Sequence, residues 1–399
     1  MGTNEVFLLA ILLVFAVPYL VWRLGRTEYF APLVVVQIVT GIVLGPGIVG
    51  ALYPDYHAFV FSEPVAMSLN GIAMWGVVCF VWLAGIELDV GNAWLHRRET
   101  GITAALAVCV PLLTGGAVAL GMSAHAGWVG ESALRWQFVL AVGMCCAVTA
   151  LPILVLFLDK LSILREPLGQ RILRYASLDD VAIWSVLAII LMDWDRVGRQ
   201  TAYMAAFVAA SFVFRRLLQR LPGQDRLPMG LIWLAACSFG AEWAGLHFMV
   251  GAFLSGVVLD RAWFDRHQLD AIRQTLLIFL MPVYFLSAGL RTGWQLGGMP
   301  VLLTAGTLLI ASVLGKLSGL RLAQHILKWQ PGEGALIGWL LQTKALIMIV
   351  FANVLLDKGL ISATTFTALL LMAVASTMLT IPMAAPMLQR LQGIVGRSR

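Results

Sequence analysis

Tyr175-Ala176-Ser177-Leu178-Asp179-Asp180-Val181-Ala182-Ile183-Trp184 sets two carboxylates side by side within eighteen mainly apolar residues, Tyr175 to Met192. A charge at the centre of a bilayer costs roughly 3 kcal/mol on insertion scales, and more on an isolated helix. Two adjacent charges persist where something binds, pairs or titrates them. The alternative places the pair at a helix end, solvated beside Arg171 and Arg174. Neighbouring side chains on a helix diverge by about 100°, so the two acids cannot face one ligand equally. One is expected to face a cation cavity and the other a structural partner.

Outward from this stretch, the chain is apolar nearly throughout. Hydrophobic residues make up 60% and charged residues 12%, and the mean hydropathy is +0.88. A span needs about 20 apolar residues to cross a hydrocarbon core of about 30 Å. Thirteen such stretches follow one another, at approximately 5–22, 30–50, 65–88, 98–122, 134–158, 168–192, 201–219, 226–244, 247–264, 274–292, 298–320, 334–356 and 361–387. The fold class is an all-α polytopic membrane protein of about 13 transmembrane helices, with no loop long enough for a soluble catalytic domain. The first run, Val6 to Trp22, lacks a basic leader and a small-residue cleavage site, so it reads as a retained helix.

The net charge of +6 follows from the positive-inside bias of membrane loops and needs no nucleic-acid partner. With the N-terminus outside, the cytoplasmic side receives twenty of the 27 Lys and Arg residues. The outside receives Arg135, Arg196, Arg199, Arg291 and Lys358, and Lys316 and Lys344 lie within spans. A wrong helix count would scramble this skew, so it supports both the count and the direction, with the C-terminus in the cytoplasm. The five cysteines, Cys79, Cys109, Cys145, Cys146 and Cys237, fall in apolar runs and read as small buried hydrophobes. The six histidines lack metal-ligand spacing, and no Ser/His/Asp order, HExxH or dinucleotide fingerprint occurs in a plausible context. No catalytic residue and no cofactor is expected. An intramembrane aspartyl enzyme is disfavoured, because such chemistry needs two carboxylates converging on one substrate.

Two spans are interrupted. The fifth breaks at Ala147-Val148-Thr149-Ala150-Leu151-Pro152 and the twelfth at Leu341-Gln342-Thr343-Lys344-Ala345. Lying seven spans apart, they run in opposite directions, the pattern of an inverted-repeat transporter whose broken helices expose carbonyls and half-helix dipoles at the midplane. A proline kink and a tolerated polar cluster are the plainer alternatives.

Lys316 stands five residues before Arg321, and Asp179 five after Arg174. At 1.5 Å per residue both lie roughly 7–8 Å inward from basic boundary residues on the same side. An Asp179–Lys316 ion pair is therefore geometrically reasonable; the alternative is a lysine snorkelling to the headgroups. Lys344, nearer the middle, is suited to offset half-helix dipoles or pair with an acid, and its partner is not readable. Glu87 and Asp89 read as the interfacial end of the third span.

These residues resemble the monovalent cation:proton antiporters, particularly the branch containing bacterial sodium/proton and potassium/proton exchangers. The likeness covers nearly the whole chain. Leu33 to Pro46 looks like the family's Gly-Pro helix, Phe80 to Asp89 like its aromatic-Gly-acidic segment, Val250 to Leu259 like its Gly-Ala-Phe helix, and Thr364 to Pro382 like its last span. The most specific feature is the ordered set of Thr149, Asp179-Asp180, Lys316 and the second broken helix. The resemblance implies inverted repeats with two crossed broken helices, with Asp180 binding the cation or protons alternately and Asp179 paired to Lys316. Thr149 would help coordinate the transported monovalent cation with Asp180, and Lys344 would hold the basic position of the second break. It further implies a homodimer in a bacterial inner membrane. Residues 1–97 (helices 1–3) and 223–296 (helices 8–10) would form the dimer scaffold, 98–194 (helices 4–6) and 297–399 (helices 11–13) a core moving as an elevator, and 195–222 (helix 7) a linker. The double acid tilts the expected cargo toward Na⁺, exchanged electrogenically for protons. A K⁺/H⁺ exchanger, or a channel or sensor without coupled antiport, is the alternative.

Overall fold

A computed structural model of the chain describes residues 2–27, 31–86, 97–191, 197–290 and 298–397. Glu87, Asp89, Arg196 and Arg291 lie outside the described residues, as does the side chain of Asp180.

The described chain is helical almost throughout. Its helices are α1 (Thr3–Leu24), α2 (Leu33–Leu44), α3 (Val49–Leu52), α4 (Pro54–Val60), α5 (Glu63–Ile86), α6 (Arg97–Met122), α7 (Arg135–Ala147), α8 (Leu151–Lys160) and α9 (Pro167–Ile190). There follow α10 (Val197–Arg220), α11 (Gly223–Trp243), α12 (Phe248–Val257), α13 (Arg266–Thr275), α14 (Met281–Leu290), α15 (Gly298–Leu327), α16 (Glu333–Leu340), α17 (Ala345–Asp357) and α18 (Ala363–Arg397). Among the described residues the one β feature is an isolated antiparallel bridge between Val129 and Ile361. Lipid offers the backbone no hydrogen bonds, so helices that satisfy their own N–H and C=O groups are the form such a sequence takes.

Each of the thirteen apolar stretches overlaps a helix. Eight helical segments are long and apolar enough to cross a membrane, and α16 with α17, bent by 52°, makes a ninth. The other four stretches fall short for visible reasons. The fifth is split between α7 and α8, and α12 has 10 residues. Arg174, Asp179 and Asp180 sit in the apolar part of α9, while Arg226 and Glu242 bracket α11. A π-helical turn at Leu276–Leu280 between α13 and α14 was not foreshadowed by the pattern. Large apolar side chains face outward, including Leu113, Phe212 and Phe239, as suits helices whose surroundings are as apolar as their core. Four of the cysteines are buried, but Cys109 is exposed. That corrects its assignment to the interior: an apolar neighbourhood in α6 includes the outward face as well as the packed one.

The helices form two compact units. The first comprises residues 1–65, 89–183 and 285–399. In it α15 packs on α6, α16 and α18, α7 packs on α6, and α17 packs on α18. The second comprises residues 66–88 and 184–284. There α11 packs on α12, Trp233 stacks on Phe214 with ring centroids 4.5 Å apart, and Gly85 and Gly256 let two backbones touch.

Within the first unit, α2 meets α14 at Gly41 and Gly289. A Cβ on Gly289 would stand 2.6 Å from the Gly41 Cα, and one on Gly41 2.5 Å from the Leu286 carbonyl oxygen. Small residues at such crossings are what allow helices to pack by van der Waals contact in lipid. Gly289→Leu should therefore lower stability by about 1–3 kcal/mol or more, the usual cost of overpacking. Gly71→Leu, at a position with open space around it, should not. Thermal denaturation of both variants in detergent checks the contrast, and equal melting would contradict it.

Candidate functional site

The site is built where two helices stop in mid-course. α7 ends at Ala147, Val148 and Ala150 are non-helical, and α8 begins at Leu151 with a proline in its first turn. Proline is favoured there because the first-turn N–H groups have no intrahelical acceptor. α16 ends at Leu340, and α17 begins at Ala345. The two breaks are tied together. Ala150 N–H donates to the Thr343 carbonyl, and the Thr149 hydroxyl lies 2.9 Å from the Leu341 carbonyl oxygen.

Three buried charges converge on this crossing. Asp179, Lys316 and Lys344 are each 0% exposed. Lys316 Nζ donates to Asp179 Oδ2 at 3.0 Å and to the Ala147 carbonyl at 2.6 Å. Thr149 Oγ1 donates to the same carboxylate oxygen at 2.7 Å. Lys316 is thus neither at the surface nor snorkelling, and Asp179 is not solvated. Lys344 Nζ donates to the carbonyls of Cys146 at 2.7 Å and Val148 at 2.8 Å. Of the two roles open to Lys344, the geometry is that of a cation set against the negative, C-terminal end of a half-helix. Both ammonium groups satisfy carbonyls that the end of α7 leaves without intrahelical partners.

Two features of the acid group decide its chemistry. Among the described residues the buried Asp179 Oδ1 has no hydrogen-bond partner, and an unpaired buried acceptor costs about 1–3 kcal/mol, more when charged. The Thr149 hydroxyl has one hydrogen for two oxygens, Asp179 Oδ2 and Leu341 O; if it turns to Leu341, Oδ2 keeps only the bond from Lys316. Among the described residues the crossing therefore holds a carboxylate oxygen that is still open as an acceptor, a point at which a proton or a cation can be taken up.

Around the charges runs a hydroxyl and amide network, of which the sequence pattern marks Gln342, in the second break, but no role for Ser312, Ser376 or Thr377. Ser312, one turn before Lys316 on α15, donates to the Cys146 carbonyl at 2.8 Å. Gln342 donates to the Ser312 carbonyl at 3.0 Å, and its carbonyl oxygens accept from Ser376. Thr377 Oγ1 accepts the Lys344 and Ala345 backbone N–H groups, each at 3.1 Å, capping α17 from α18 as an N-cap residue would. Isolated Ser and Thr residues in apolar helices carry no sequence signal of such a role. Two turns before Asp179 on α9, Arg171 pairs with Glu333 at 3.0 Å and lies over the Trp329 ring at 5.2 Å. Tyr175 donates to Glu99 at 2.5 Å. These contacts hold α9 to α6 and α16.

Thr149, Asp179, Lys316 and Lys344 thus stand together. Asp180 follows Asp179 in α9, and its side chain is outside the description. Glu87 and Asp89, read as an interfacial end, are likewise outside it.

The comparisons accord with this architecture. The family model described as sodium/hydrogen exchanger, transmembrane, matches residues 9–390. The chain is 26% identical over 369 residues to the Na(+)/H(+) antiporter NhaS4 of Synechocystis sp., covering 88% of this chain and 90% of that one. It is 26% identical over 374 residues to the cation/H(+) antiporter 19 of Arabidopsis thaliana, covering 88% of this chain and 46% of the plant protein; the chain thus spans about half the length of that relative. The structure of the sodium proton antiporter MjNhaP1 from Methanocaldococcus jannaschii superposes with a TM-score of 0.58 over 96% of this chain and 97% of that one, at 12% identity. At that identity the likeness speaks to the fold.

Proposed function

The chain belongs to the sodium/hydrogen exchanger family over residues 9–390, and we propose on that basis that it is a secondary active transporter exchanging a monovalent cation for protons by alternating access. The observation that carries the reading is the fully buried Asp179 at the crossing of two broken helices, one oxygen held by Lys316 and Thr149 and the other without a partner among the described residues. In our reading Na⁺ is the preferred cargo and K⁺ the alternative, and neither chemistry nor a bound cofactor is required of the protein beyond the ion exchange itself.

The physics follows from competition for one negative charge. Burial disfavours an ionised carboxylate, while a nearby cation favours it, so proton and metal ion exclude each other. We assign that exchange to Asp180, assisted by Thr149, with Asp179 tied to Lys316 and Lys344 holding the half-helix end. Moving an empty, uncompensated charge through the bilayer costs several kcal/mol, so the loaded forms cross and the empty form stalls. That asymmetry makes the exchange obligatory. Release of Lys316 from Asp179 would add a further proton to the cycle, which makes the exchange electrogenic.

We further place the N-terminus outside and the C-terminus in the cytoplasm of a bacterial inner membrane, from the skew of loop charges. The assembly we propose is a homodimer, with residues 1–97 and 223–296 as its scaffold, 98–194 and 297–399 as the moving core and 195–222 as the linker.

The test is uptake into proteoliposomes. An imposed pH gradient should drive saturable cation movement, strongest for Na⁺ in a screen of Na⁺, Li⁺ and K⁺, and the added cation should dissipate the gradient. No cation-dependent proton flux, or flux that follows the cation potential alone as through a channel, would overturn the reading.

A further inference from the structure

Away from the crossing, α6 and α7 enclose a groove of about 830 Å³ open to the surroundings. The size lies within the range of small-molecule sites, about 300–1,000 Å³. Leu113, Gly116, Ala117 and Leu120 line it from α6, with Arg135 and Trp136 at the start of α7. Gly116 and Ala117 keep its floor low: a Cβ on Gly116 would meet the Val139 side chain at an ordinary 3.5 Å, so the space is open rather than collapsed. The α6 segment spans about two turns, roughly 12 Å.

One end differs in kind from the rest. Arg135 Nε donates to Ser123 Oγ at 3.1 Å, which fixes the guanidinium at the groove mouth. Among the described residues its terminal N–H groups have no partner. Trp136 beside it is 47% exposed, and tryptophan and arginine are the residues that sit at headgroup level. An apolar trough ending in a fixed cation beside a tryptophan matches one amphiphile: an alkyl chain for the trough and an anion for the guanidinium, which takes phosphate oxygens in a forked pair of bonds.

We propose that this groove is a phospholipid site, with one acyl chain along Gly116 and Ala117 and the phosphate on Arg135. The inference requires that the chain lies in a bilayer, and it is independent of ion exchange. The full chain, purified in detergent and delipidated, is titrated with phosphatidylglycerol and read by native mass spectrometry. One lipid should be retained. Arg135→Gln should weaken retention at least about tenfold, the factor for losing one charge-assisted bond. Ala117→Phe, which fills the trough from an exposed position, should weaken it comparably with melting unchanged. Diacylglycerol of the same chains should bind more weakly than the phospholipid, and inorganic phosphate should not compete. Wild-type retention in both variants would mean annular lipid only and would overturn the proposal. So would full competition by inorganic phosphate, or a groove occupied by a second copy of the chain, seen as loss of a dimer in Ala117→Phe.

Discussion

Lys316→Met should cost the folded chain about 3–5 kcal/mol, the scale for stranding one partner of a buried ion pair. Asp179→Asn should cost less. The difference lies in what each substitution leaves behind. Removing the ammonium leaves the Asp179 carboxylate fully buried with Thr149 as its remaining donor, and leaves the Ala147 carbonyl at the end of α7 without the 2.6 Å bond from Nζ. Removing the carboxylate charge leaves Lys316 still bonded to Ala147, with an amide oxygen able to stand where Oδ2 was. The double variant Asp179→Asn/Lys316→Met should recover part of the loss, because no buried charge of the pair then remains uncompensated. Denaturant unfolding of the three variants in detergent gives the cycle directly. A Lys316→Met cost under about 1 kcal/mol, or a double variant as poor as the sum of the singles, would mean that the pair contributes little to holding the crossing.

The parts of this site that could be read from sequence are those whose cost shows in side chains. Two acids in an apolar run are expensive wherever they sit, so Asp179 announced itself. Lys316 lies five residues from a basic boundary, as Asp179 does, and the helical rise carries that spacing into a shared depth. The breaks showed through Pro152 and the polar run from Gln342 to Lys344, because both interrupt an otherwise apolar pattern. What stayed hidden is mostly backbone. Lys344 has carbonyl partners 196 and 198 residues away, and every residue has a carbonyl, so nothing in the sequence marks which ones are left open. Ser312, Ser376 and Thr377 look like any small polar residues tolerated in a membrane helix; their role exists once α15 and α18 meet the breaks.

The same reasoning explains the span count. α9 and α11 lie where the apolar pattern placed them, yet fall short of a membrane helix by composition alone, because Asp179 and Asp180 in one and Arg226 and Glu242 in the other dilute the apolar signal. In α9 it is the three charges Arg174, Asp179 and Asp180, rather than a low hydropathy, that set apart the very helix that carries the candidate site. Periodicity and context recover it, since the residues on either side of the acids are still those of a span.

Asp180→Asn should abolish pH-gradient-driven cation movement while leaving the chain folded. The asparagine is close in size to the acid and can still accept a hydrogen bond, but it can neither ionise to hold a cation nor carry an exchangeable proton. Both halves of the cycle would be lost together, so raising the cation concentration should not restore the rate. Asp179→Asn is expected to behave differently. One oxygen of its carboxylate is held by Lys316 and Thr149, so its loss should weaken the crossing and, under the proposed coupling through Lys316, turn electrogenic exchange toward electroneutral. Everted vesicles or proteoliposomes, read with a pH dye and a potential dye in parallel, separate the two outcomes. Full exchange by Asp180→Asn would remove Asp180 from the mechanism. If Asp179→Asn alone then abolished transport, the exchanging carboxylate would be Asp179, whose Oδ1 has no partner among the described residues.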